Sequence, residues 1–154
     1  MGMFARTLNT LHFGVIHAEG QSKVWEATID IPNLGGSFNV RIWGAKDGPS
    51  FEQCEAFGSM IAKSETIQAK SSLLIIDYLN LCGVVPSDVI LSVTNVWTFL
   101  SPSFIEVHAN NVYPAGEGVL GSIAISVGYE ITWENEHLLQ IGLLNGVVDQ
   151  IYSE

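Results

Sequence analysis

After Lys70 the chain contains no lysine or arginine. All six basic residues (Arg6, Lys23, Arg41, Lys46, Lys63, Lys70) fall in the first 70 positions, beside seven acids. The remaining nine acids stand alone: Asp77, Asp88, Glu106, Glu117, Glu130, Glu134, Glu136, Asp149 and Glu154. Such a surface repels phosphate backbones and attracts basic partners. Charge of either sign is scarce, at 14% of residues, against roughly 25% in an average soluble protein. With 47% hydrophobic residues, disorder is excluded and a good part of the surface must be uncharged.

Long apolar runs are missing too. The longest aliphatic stretch is Leu73-Leu74-Ile75-Ile76, far short of the ~20 residues of a spanning helix. The start, MGMFARTLNTLHFG, has no sustained apolar segment of the secretory kind, and Arg6 stands where a myristoylation signal needs Ser or Thr. A cytoplasmic protein is expected. The two cysteines, Cys54 and Cys82, are expected to be reduced, buried small hydrophobes. There is no zinc ladder, Walker loop, GxGxxG or GxSxG elbow. The aromatics are not interleaved with basic residues, so no nucleic-acid surface is expected. No cofactor is expected.

What is present reads as one domain of 154 residues. KVWEATIDI alternates, with Trp25, Ala27, Ile29 and Ile31 on one face, and FNVRIWGA places Phe38, Val40 and Ile42 together. Period two predicts strands. IPNLGG is a turn, and Asp47-Gly48-Pro49 ends the strand region. Ser50 with Gln53 three residues on forms a capping-box pattern. Phe51, Cys54, Phe57, Met60 and Ile61 then recur at helical spacing, and a second segment starts at Ser64-Glu65 and ends at Cys82-Gly83. The length favours a helix pair, about 50–62 and 64–82, as a hairpin over a single helix. Residues 84–103 read either as a short helix capped at Thr94 and stopped by Ser101-Pro102, or as a strand at Ile90–Val96.

Residues 104–110 are a strand candidate, and NNVYPAGEGVLG a loop. Ile123, Ile125, Val127, Tyr129, Ile131 and Trp133 alternate with small or polar residues, a strand buried on one side. Segments 138–144 and 147–152 flank Asn145-Gly146, a strong hairpin signal. A two-residue turn there puts Leu139, Ile141, Leu143, Val148 and Tyr152 on one face. The fold class is α+β: an antiparallel sheet covered on one face by the helix pair, closing in a C-terminal three-strand meander.

The candidate site is the cluster Trp133-Glu134-Asn135-Glu136-His137 between the best strand and the terminal hairpin. Together with Glu130 and Asp149 it offers carboxylates for a binding surface. As a regular strand, 134 and 136 point one way and 137 the other, so neither a metal nor a catalytic residue is assigned. A second reading is a small hydrolase-like enzyme pairing His137 with Glu134 or Glu136. A third is a generic homodimeric interaction domain using Leu138, Leu144, Val147 and Ile151.

The stretch ITWENEHLLQIGLLNGVVDQI resembles a group of small bacterial domains of unknown function. These end in a strand, a Trp-x-x-Glu-His turn, a strand, an Asn-Gly or Asp-Gly turn and a last strand. The matching positions are Trp133, Glu136, His137, Asn145 and Gly146. A Gly commonly follows the His, where this chain has Leu138-Leu139. Members are proposed immunity proteins of polymorphic toxin systems. The resemblance implies a non-enzymatic cytoplasmic protein that binds and blocks a cognate toxin; the all-acidic second half would suit a basic one met through an acidic surface.

Overall fold

The computed structural model describes residues 5–109 and 122–153; the predicted loop over 110–121, with Glu117, lies outside them. Eight strands form one sheet whose spatial order equals their chain order. They are β1 (Ala5–Thr10), β2 (Gly14–Glu19), β3 (Val24–Ile31), β4 (Gly36–Trp43), β5 (Leu100–Val107), β6 (Ala124–Ile131), β7 (Glu134–Leu144) and β8 (Val147–Ser153). Two helices, α1 (Phe51–Ala62) and α2 (Ser64–Cys82), separate β4 from β5.

Here the expected antiparallel sheet is corrected. β4 and β5 run parallel, with Arg41 beside Glu106, while every other neighbour pair is antiparallel. The reason is the connection. Parallel neighbours need a crossover of a dozen or more residues, and the helices with 83–99 supply it. The fold is therefore a single mixed eight-stranded sheet with two helices, and the terminal meander is one part of it. The first strand, β1, had no period-two signal and went unpredicted.

The helix bounds agree with the periodicity, but the pair is not a hairpin. One residue, Lys63, serves both as the end of α1 and the start of α2, and helical hairpins need about 2–5 connecting residues. Ser50 caps α1 as predicted: its hydroxyl accepts from the Gln53 N–H, while the Gln53 side chain accepts from the Ser50 N–H. The same buried Gln53 donates from Nε2 to the carbonyls of Trp43 and His108, 2.9 Å each. One side chain thus ties the start of α1 to β4 and to the end of β5. Gln53→Ala keeps the Ser50 cap but removes its reciprocal half, and leaves the Ser50 N–H and two carbonyls without this partner; we expect a loss of about 2–3 kcal/mol, read by urea denaturation.

Alternation builds the core on the helix side. Ile16, Trp25, Phe38, Val40, Ile42, Ile105, Val107, Val127, Tyr129, Leu139 and Ile141 are buried there with Phe57, Met60, Ile75 and Leu79 of the helices. Tyr129 donates its hydroxyl to Leu34 O at 2.5 Å and sits edge-on to Phe38 and Trp97. Burial pushes its pKa far up. Both outer turns of the sheet reach α1. Phe13, between β1 and β2, stacks on Phe57 at 4.4 Å, and Gly146, between β7 and β8, lies against Ser59. The sheet therefore curves round the helices, and its edge strands do not pair with each other.

The Asn145-Gly146 turn forms as the sequence predicts. Both residues take positive φ, 52° and 83°, the primed geometry that suits strand twist. One consequence of that reading fails. A bulge sets Gly142 opposite Gln150 but Leu143 opposite Val148, leaving Asp149 as the extra residue. This shifts parity, so Tyr152 leaves the core face and joins Gln140, its cross-strand partner. Ile151 turns inward, beside Ile141, and Leu138, Leu144, Val147 and Ile151 do not share a face. In 84–103 the short-helix reading holds as a single 3-10 turn, Val96–Phe99, begun at Asn95 rather than Thr94, which leads directly into β5, and the strand alternative at Ile90–Val96 does not form. Pro102 lies inside that strand, at a register shift towards Phe104, one of the few strand sites that tolerate proline. Cys82 is exposed and Cys54 half-buried, against the expectation of two buried thiols. Burial, then the nearby Glu55, pushes the Cys54 thiol up.

Candidate functional site

The predicted turn cluster is partly assembled. Trp133 stacks on Phe99 with centroids 4.5 Å apart, and Thr132 gives both its N–H and its hydroxyl to Phe99 O, each at 3.0 Å. These contacts pin the turn to the start of β5. The register then breaks. Ile131 faces Glu134 but Glu130 faces Leu138, so three extra residues of β7 bulge out. That irregularity is what alternation could not foresee. It brings ligand atoms of Glu134, Glu136 and His137 within 4.8 Å of one another. Glu134 accepts from the Glu136 N–H at 2.7 Å and from His137 Nδ1. By distance the three residues fit around an ion, one ligand short of a four-coordinate zinc site.

The Glu136 amide first, and His137 second, hold the Glu134 carboxyl below the usual carboxylate range. We expect NMR titration to show Glu134 as a low-pKa glutamate. In His137→Ala its pKa should rise only part-way to normal, since the amide bond remains. A full return would assign the effect to His137 alone.

Glu130 lies on β6 opposite Leu138, close to this cluster. Asp149 does not. It sits at the bulge beside Gly142, whose β6 partner is Ser126. Glu130 is four residues further along, about 13 Å at ~3.3 Å per residue. Five of the six predicted positions therefore gather at the turn, with Asp149 standing apart from them.

A larger feature runs across the sheet face away from the helices. Following the register from β2 gives His17, Glu26, Arg41, Glu106, Ser126, Gly142 and Gln150 in one transverse row. The next row is Thr28, Asn39, Phe104, Gly128, Gln140 and Tyr152. The β2–β5 part of these rows, with Val15 and with Glu136, Leu138 and Gln140 of β7, lines a shallow groove of about 1020 Å³. Its formal charges are Glu26, Glu106 and Glu136 against Arg41. Among the described residues Arg41 makes no ion pair with either flanking carboxylate. Trp43 donates its indole N–H to Glu106 Oε2 at 3.0 Å. Glu136 belongs to both the groove and the turn cluster.

Above the row, His108 Nε2 lies 3.2 Å from the Ser126 hydroxyl, itself 2.8 Å from the Tyr152 hydroxyl. Burial pushes the His108 pKa down, opposed by Glu106. Ser126 is 1% exposed, which seats this relay beneath the face. The sequence reading missed these residues. It did read KVWEATIDI as an alternating strand, which puts Glu26 and Thr28 opposite the face of Trp25, but a transverse row needs the strand order, and no local pattern contains that.

One mixed sheet, with helices on one face and a charged groove across β2–β5 and β7 on the other, defines an α-and-β domain. The chain belongs to the DUF6985 family, a domain of unknown function, whose family model matches residues 12–153. No curated protein and no solved structure matches it. No helix among the described residues is long and apolar enough to cross a membrane.

Proposed function

We propose that the protein is a non-enzymatic binding module that receives a basic protein partner on the open face of its sheet, and that the partner is the toxin of a bacterial immunity pair met in the cytoplasm. The observation that supports it is the groove. Lined from β2, β3, β4, β5 and β7, it carries three carboxylates for one arginine, in a chain of net charge −10. Exposed apolar stations, Val15 and Trp43, interrupt the charges. Complementary fields of this kind raise the association rate and exclude wrong partners. The toxin itself rests on the C-terminal resemblance around Trp133, Glu136 and His137.

The test is calorimetry with the product of a neighbouring toxin gene. We expect saturable binding that weakens about tenfold or more between 50 and 300 mM salt, as rim electrostatics do. Absence of binding at low salt contradicts the reading. The Glu134–His137 contact favours one second reading, acid–base chemistry at the turn. It requires His137→Ala to abolish an activity without lowering the melting temperature.

A further inference from the structure

We propose that the centre of the groove is an arginine subsite, where the Phe104 ring and the Glu106 carboxylate together receive a guanidinium of the partner; this rests on docking at the open face. Phe104 stands opposite Gly128. A Cβ on Gly128 would fall 2.1 Å from the Phe104 ring, so the ring lies across β6 in the space the glycine leaves. That makes a low aromatic seat in the middle of the groove rather than a wall across it. Glu106 is two residues along the same strand and on the same face. Trp43 occupies Glu106 Oε2, which orients the carboxylate, and among the described residues Oε1 carries no hydrogen bond. Asn39, beside Phe104 on β4, adds an amide at the rim.

A ring next to an oriented carboxylate with a free oxygen selects a planar cation. A guanidinium stacks on the ring while its edge N–H groups donate to Oε1. A lysine ammonium is more strongly hydrated and has no plane to stack. Arg41, one strand away, makes no ion pair with Glu106 among the described residues, so the carboxylate remains available to an incoming cation.

The experiment is an NMR titration of the labelled protein with N-acetyl-arginine methylamide, with the lysine and norleucine analogues in parallel. We expect saturable shifts in the millimolar range at the Phe104 ring, the Gly128 amide and the Glu106 carboxyl, weaker for lysine and absent for norleucine. Glu106→Gln should cut the arginine affinity about tenfold with a dispersed spectrum retained. The subsite is overturned by shifts that never saturate, by equal shifts with norleucine, or by unchanged affinity in Glu106→Gln. A toxin that binds the groove at full strength in Glu106→Gln likewise sinks the subsite while leaving docking intact. A toxin that perturbs only helix residues sinks the docking reading, and the subsite with it.

Discussion

Replacing Gly128 with alanine should lower the melting temperature by about 5–10 °C, an effect out of proportion to one methyl group. The added Cβ would lie 2.1–2.5 Å from three atoms of the Phe104 ring, distances that non-bonded carbons do not reach. The ring must swing away from β6, and it carries the register-shifted segment after Pro102 with it. Overpacking of this sort costs about 1–3 kcal/mol, and each kcal/mol shifts the midpoint by about 2–4 °C for a chain of this size. The double variant Gly128→Ala with Phe104→Ala removes the clash, so it should be less destabilised than the sum of its parts. Simple additivity would show that the ring does not lie where the structure puts it.

The second large effect is expected at Trp25. Its side chain is 1% exposed, its indole N–H donates to Ala45 O at 2.9 Å, and the Arg6 guanidinium lies 4.8 Å from the ring centroid. Arg6 also reaches the carbonyls of Lys46 and Ser22. Trp25 therefore joins β3 to the loop after β4 and to the edge strand β1. Trp25→Ala should cost about 4–6 kcal/mol, from the cavity and from an unpaired buried carbonyl. Because β2 and β3 share a single registered pair, His17 with Glu26, β1 and β2 depend heavily on this side chain. Hydrogen exchange should show them opening first in Trp25→Phe, before β5–β7. Uniform exchange would mean that the sheet opens as one unit.

Local chemistry was legible in the sequence where it acts over a few residues. Ser50 and Gln53 announced the start of α1, Asn145-Gly146 announced a primed turn, and alternation gave strands at Trp25–Ile31 and Ile123–Ile131, although the second is buried on both faces over 124–129 rather than on one side. The misses that shape the site are long-range contacts or bulges. Whether β4 meets β5 in parallel depends on how the crossover lies, and no residue in either strand records it. The bulge at Asp149 reverses the parity of Tyr152, and the wide bulge at 135–137 gathers groups that a regular strand would separate. The turn cluster was found because its charges are adjacent in the chain. The groove went unseen because His17, Glu26, Arg41 and Glu106 come from four strands.

The central claim is that the open face, not the helix face, meets the partner. The direct measurement compares two doubly reversed variants for binding to the proposed partner, the product of any toxin gene adjacent to this one. Glu26→Lys with Glu106→Lys reverses the groove. Glu65→Lys with Asp77→Lys reverses exposed acids of α2, on the opposite side. With both variants shown to be folded, we predict loss of at least a hundredfold in affinity for the groove variant, about 3 kcal/mol, and less than threefold for the helix variant. Equal losses, or a greater loss from the helix variant, would contradict it.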